Sequence, residues 1–142
     1  MIRQQIREVA VAYAKSFIGT PYEWGGDNPD GLDCSGFLGV VYRGIGLLKN
    51  KEDLTSRGFY YKFKDYEVTA PQPGAFVVYG KDINSISHIA LLIDESHIIE
   101  AGGGNSKTTT KKVADDRNAF VRMRPYKYRI PLAICDPIKG LQ

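Results

Sequence analysis

A chain of 142 residues, 43% of them hydrophobic, suits one modest core without disulfide staples and is short for several domains. A formal net charge of +3, from 19 basic and 16 acidic side chains, is too mild to indicate nucleic-acid binding. No apolar run approaches the ~20 residues that a bilayer-spanning helix needs. The expectation is therefore one domain over residues 1–142, with no nucleic-acid partner and no membrane insertion. The N-terminal run MIRQQIREVAVAYAKSF mixes charge with apolar residues and lacks the h-region of a signal peptide, so synthesis as a soluble cytoplasmic chain is expected.

In chain order, Ile2, Ile6, Val9, Ala10, Tyr13, Ala14 and Phe17 fall at three- and four-residue spacings. That pattern predicts an amphipathic helix, ended by Gly19, Thr20 and Pro21. The run EWGGDNPDGLD holds too many turn formers for a regular element. A second helix is expected from Cys34 to Gly44 or Gly46, with Phe37, Leu38, Val41 and Ile45 as its buried stripe and Asp33 as its N-cap. Residues 49–69 give no clear pattern, although RGFYYKFKDYEV is crowded with aromatic rings. From Pro73 the signal changes to strands: AFVVY, then HIALLI and HIIEA as a hairpin around Asp94–Glu95–Ser96, then AFVRMRP and PLAIC. AGGGNSKTTTKK reads as an exposed loop. Helices first and strands second indicate an α+β fold.

Basic residues thicken toward the C-terminus, at Lys107, Lys111, Lys112, Arg117, Arg122, Arg124, Lys127 and Arg129. Such a run is ordinarily a solvated face; attraction to an anionic wall polymer or a partner protein is the alternative.

The two cysteines occupy different settings. Cys34 lies in the polar, glycine-rich GLDCSG, and Cys135 in the apolar PLAIC. A thiol attacks only as thiolate, and the start of a helix favours that anion. Cys34 is thus the candidate nucleophile, with Gly31 and Gly36 expected to let a substrate backbone approach. Only His88 and His97 can serve as its base. With a three-residue loop at 94–96, strand alternation puts His88, Ala90, Ile98 and Glu100 on one face and His97 on the other. Glu100 would then orient His88, completing a nucleophile–base–orienter set. A two-residue turn would reverse the pairing and make His97 the third member. A metal site from His88, His97 and Glu100 is disfavoured by the same parity argument, and no metal or other cofactor is expected.

The segments GTPYEWGGDNPDGLDCSGF, PGAFVVYG and SHIALLIDESHIIEAGGG, in that order across roughly residues 10–101, resemble the NlpC/p60 family of cell-wall cysteine peptidases. The resemblance implies a papain-like core in which a Cys-bearing helix packs on a small antiparallel β-barrel. It implies hydrolysis of peptidoglycan stem peptides, typically at the γ-D-glutamyl–diamino acid bond. It matches Cys34 to the nucleophile and His88 to the base, and places Tyr22, Asp33 and Ser35 at the site for the free amino end of the stem peptide. Two positions depart from the family pattern: Ala90 stands where a glycine is usual, which would narrow the site, and Glu100 stands where His, Asn or Gln is usual. A peptidase without a signal peptide resembles the tail-associated lysins of bacteriophages, so delivery to the wall by a virion tail or a secretion assembly is expected. An amidase or acyltransferase using the same pair, and an idle structural component of a tail-like assembly, are the alternatives.

Overall fold

The computed structural model describes residues 2–28 and 31–141. Pro29 and Asp30 of the expected glycine-rich loop lie outside the described residues.

Helix α1 spans Arg3–Lys15. Its buried face is Arg7, Ala10 and Ala14, continued by Phe17, whereas Ile2, Val9 and Tyr13 are 67%, 45% and 38% exposed. The predicted apolar stripe is therefore too wide, and the reason is a charge. Arg7 reaches inward to pair with Asp136 through two bonds of 2.9 and 2.7 Å, and donates to the Pro73 carbonyl at 2.9 Å. A buried ion pair needs such multiple hydrogen bonds to offset desolvation, so Arg7 sets which side of the helix faces inward.

A two-stranded ladder, β1 (Asp27–Asn28) with β2 (Gly31–Leu32), leads into helix α2, Cys34–Gly44. Phe37, Leu38 and Val41 are fully buried as expected; Tyr42 joins them, its hydroxyl donating to the Gly74 carbonyl at 2.8 Å. Ile45, just beyond the helix, is only half-buried. A third helix, α3, Ser56–Phe63, occupies the stretch with no clear sequence pattern. The Thr55 hydroxyl accepts the Gly58 amide at 3.0 Å and so caps it. Phe59 and Phe63 pack edge-on against Tyr42 and Phe76 in the core.

The remaining strands are β3 (Glu67–Val68), β4 (Phe76–Gly80), β5 (Ile86–Leu92) and β6 (His97–Gly102). Helix α4 (Lys111–Arg117) follows, then β7 (Phe120–Pro125) and β8 (Ala133–Cys135). They form an antiparallel sheet in the order β3-β8-β4-β5-β6-β7. The fold is α+β with α2 packed on β5 and β6, but the sheet is open. The expected barrel does not close, because β3 is only two residues long and β7 pairs with β6 alone among the sheet's strands.

Both sheet faces are covered. The helices bury Phe76, Val78, Ile89, Leu91 and Ile99 on one side. On the other, Tyr126 and Tyr128 lie over Val77, Tyr79, Ala90, Leu92 and Ile98. This explains why the central strands read as continuous apolar runs rather than alternating ones.

Candidate active site

The β5–β6 hairpin pairs Leu91 with Ile99 and Leu92 with Ile98, and the Ile93 amide donates to the His97 carbonyl at 3.0 Å. That is the register of a three-residue loop. It places His88 and Glu100 together: His88 Nε2 lies 2.8 Å from Glu100 Oε1. His97 faces away, 3.3 Å from Asp94 at the turn, with 44% of its side chain exposed.

Cys34 is the first residue of α2, directly after the cap. The Asp33 carboxylate accepts the Gly36 amide at 2.6 Å on one oxygen and the Gly25 amide at 2.9 Å on the other. The cap thus ties the glycine-rich loop to the helix and fixes the position of the thiol. Because the first amides of a helix lack intrahelical acceptors, this end of α2 presents positive potential at the sulfur.

The thiol, the imidazole and the carboxylate are electrostatically coupled. Burial alone would push the Cys34 thiol up, but the hydrogen bond and charge of His88, with the Ser56 hydroxyl 3.4 Å from Sγ, hold it below its ordinary value. Burial likewise disfavours the imidazolium, yet Cys34 and Glu100 together raise His88 to about 9. Burial disfavours the Glu100 anion as well, but His88, Arg124 and Arg122 lower it to about 2. The imidazole and the carboxylate are thus both charged at neutral pH, and beside them the thiol is biased toward its thiolate. Since Glu100 accepts from the Nε2 side, Nδ1 is the nitrogen left to exchange a proton with sulfur.

These groups open onto a cleft of about 580 Å³, lined by Tyr22, Trp24, Gly25, Asp33, Ser35, Asp53, Arg57 and the Gly102–Asn105 strand end, among others. Tyr22 packs its ring beneath Gly104, where a Cβ would strike it. Burial, and then the Cys34 and Asp33 charges, push its hydroxyl far above the usual phenol range, so it remains a donor. Ser35 donates to Asp33 at 3.3 Å.

Several expectations are corrected. Gly31 serves chain packing rather than substrate approach, because a Cβ there would strike the Glu23 side chain and it does not line the cleft; Gly36 does line the cleft, and a Cβ there would strike the Gly26 carbonyl. Ala90 is fully buried beneath the sheet in the second core and does not narrow the cleft. In the stretch without a clear sequence pattern, Phe59 and Phe63 pack the core, and residues 53–57 form part of the cleft wall. The basic C-terminal run is not uniformly solvated, since Arg122 and Arg124 each contact Glu100 at 3.3 Å. The stretch read as an exposed loop contains buried Thr108 and ends in α4. Sequence reasoning missed Ser56 altogether, and no local signal points to it. Arg122 and Arg124 were findable, because alternation in β7 puts both on the face that Glu100 occupies on its neighbour.

A helix-borne thiol set against a strand-borne imidazole and carboxylate defines a Cys–His class of site. The family model described as NlpC/P60 family matches residues 19–122, and the chain belongs to that family. Among curated relatives, it is 33% identical over 96 residues to the probable peptidoglycan endopeptidase LytE of Bacillus subtilis, covering 65% of this chain and 26% of that protein. It is 32% identical over 116 residues to dipeptidyl-peptidase 6 of Lysinibacillus sphaericus, covering 82% of this chain and 40% of that one. The chain thus spans well under half the length of these relatives. Among solved structures, the NlpC/p60 domain of the peptidoglycan hydrolase SagA superposes with a TM-score of 0.69 at 22% identity, covering 92% of this chain and 97% of that one. The peptidoglycan hydrolase RipB from Mycobacterium tuberculosis gives a TM-score of 0.71 at 21% identity, covering 94% and 65%. These two likenesses establish the fold.

Proposed function

We propose that the protein is a cysteine endopeptidase acting on peptidoglycan stem peptides, at the γ-D-glutamyl–diamino acid bond. The observation that carries this reading is the coupled set Cys34, His88 and Glu100, with the thiol at a helix start and the carboxylate 2.8 Å from the imidazole. In the proposed reaction the Cys34 thiolate attacks the scissile carbonyl. The Cys34 amide and the Tyr22 hydroxyl stabilise the oxyanion. His88 gives its proton to the leaving amine, and a water activated by the imidazole then hydrolyses the thioester. Glu100 holds the imidazole in the reactive tautomer throughout.

Asp33, Tyr22 and Ser35 are proposed to receive the free amino end of the substrate. The carboxylate of Asp33 lines the cleft; burial pushes it above its ordinary value, while its bonds from Gly36, Gly25 and Ser35 favour the anion. Stem peptides with a free N-terminus are therefore expected to be cut faster than N-acetylated ones. Peptidoglycan would be reached outside the cytoplasm, by export or through a delivering assembly.

A second reading is a domain that binds peptidoglycan without cutting it. RipD of Mycobacterium tuberculosis, TM-score 0.64 at 19% identity, is described as a non-catalytic NlpC/p60 domain protein adapted to peptidoglycan binding. The Cys34–His88 pairing favours catalysis here. Mass spectrometry of peptidoglycan incubated with the wild-type protein and with Cys34→Ala tests the choice. Cleaved stem peptides from the wild type alone support the peptidase, and their absence from both supports the binder. Release of stem peptides from the glycan, or transfer products, would indicate an amidase or acyltransferase.

A further inference from the structure

Glu100 is 1% exposed. A carboxylate so deeply buried would ordinarily take up a proton. In this site that proton would be disabling: a neutral carboxyl can donate to His88 Nε2, which turns the imidazole so that Nδ1 carries hydrogen toward the sulfur and cannot act as base. The usual amide or imidazole at such a position has no charge to keep. A carboxylate needs counter-charge besides the imidazolium, which comes and goes during turnover.

Two guanidinium groups meet that need. Arg122 Nε and Arg124 Nη1 each lie 3.3 Å from Glu100 Oε2, the oxygen that His88 does not use. Both come from β7, where Glu100 pairs directly with Arg122 and Ile98 with Arg124. The guanidinium of Arg124 stacks on the Tyr128 ring at 3.6 Å from its centroid, which fixes its approach. Room for the arrangement comes from Gly102: a Cβ there would stand 2.5 Å from Glu100 Oε2 and 3.0 Å from an Arg122 nitrogen. The other charged or titratable groups around Glu100 are His88 on β5, Tyr79 on β4, Tyr128 and Arg129 after β7, and Cys34 on α2 beyond the imidazole.

Resting on the peptidase reading, we infer that Arg122 and Arg124 are positioning residues for its reaction, which keep Glu100 ionised and aimed at His88 and so fix the tautomer of the catalytic base. They touch neither thiol nor cleft, and act only through Glu100.

The test is nitrogen NMR of the imidazoles across pH, which is clean because the chain has two histidines and His97, on the sheet face opposite Glu100, is an internal control. In Arg122→Gln/Arg124→Gln the His88 midpoint falls by about 1 pH unit or more, and its neutral form shifts toward the tautomer protonated at Nδ1. His97 is unmoved. The same pair placed in a Glu100→Gln background adds no further change in the titration or in kcat/KM. Arg122→Lys/Arg124→Lys restores part of the titration. The single Gln variants give smaller shifts in the same sense and serve if the double variant does not fold. A His88 titration like that of the wild type in every arginine variant overturns the inference, as does an equal effect with and without Glu100. Failure of the peptidase reading is separate: it shows as no digestion by the wild type, and leaves the titration interpretable.

Discussion

The two thiols of this chain make a controlled comparison. Cys34 opens a helix at the edge of a cleft, beside an imidazole, and is held below the ordinary thiol range. Cys135 is fully buried at the end of a strand, where burial, and then the Glu67 charge, push it up to about 12. Chemically the side chains are identical. What separates them is one partner able to accept a proton and one helix end able to stabilise the anion. Reactivity is therefore a property of the surroundings, and the polar GLDCSG and apolar PLAIC already carry the difference.

The sharpest way to break that contrast is to remove each thiol in turn. Cys34→Ala is expected to reduce peptidoglycan digestion to background, whereas Cys135→Ala should keep activity within about twofold and cost about 1 kcal/mol of stability in denaturant titration. Iodoacetamide mapped by peptide mass spectrometry should label Cys34 in the folded protein and Cys135 only after unfolding. Next in size is the orienter. Glu100→Ala should lower kcat/KM by about 10²-fold, while Glu100→Gln, which can still accept from Nε2, should retain substantially more.

The pH response sharpens the comparison further, with two opposite signs. Glu100 is lowered to about 2, so its contribution to stability is present above its unfolded value of about 4.3 and is lost as pH falls toward 2. His88 is raised to about 9, so its contribution is complete below about 6.5 and is lost as pH rises through 9. Thermal melting across pH should accordingly show wild type and Glu100→Gln diverging most between about pH 4.5 and 6.5. In kcat/KM profiles the activity should decline as pH passes about 9, where the imidazolium is lost, and an alkaline limb near 6.5 would contradict the coupling. The smallest effect belongs to His97→Ala, expected to be near neutral. Damage equal to that of His88→Ala would place the third catalytic role at the turn instead.

Much of this was legible because the physics was local. Strands β4 to β8 announced themselves as β-branched and apolar runs, and the hairpin register followed from a loop length and a period of two. Helices α3 and α4 did not, for physical reasons. The first is eight residues of mostly aromatic and basic side chains with two anchors, Phe59 and Phe63. The second buries only Ala114, so it has no stripe to detect. The barrel expectation failed because closure depends on whether the two edge strands meet, which no segment encodes alone. Within the site, Cys34, His88 and Glu100 could be reached by helix and strand parity. Ser56 could not, because its contact with Cys34 spans 22 residues and depends on how α3 docks.

The place of β8 bears on how the molecule is made. Its three residues enter the sheet between β3 and β4, and among the described residues β3 has no other strand neighbour. The next residue, Asp136, is the counter-charge for Arg7 on the first helix. Ribosomes deliver the thiol, helices α1 to α4 and the β5–β6 hairpin before these residues emerge. Until then the sheet has a gap beside β4 and a guanidinium faces the core alone. Completion of the fold thus waits on residues 133–136, and a growing chain carries Cys34 without a finished frame until they have emerged.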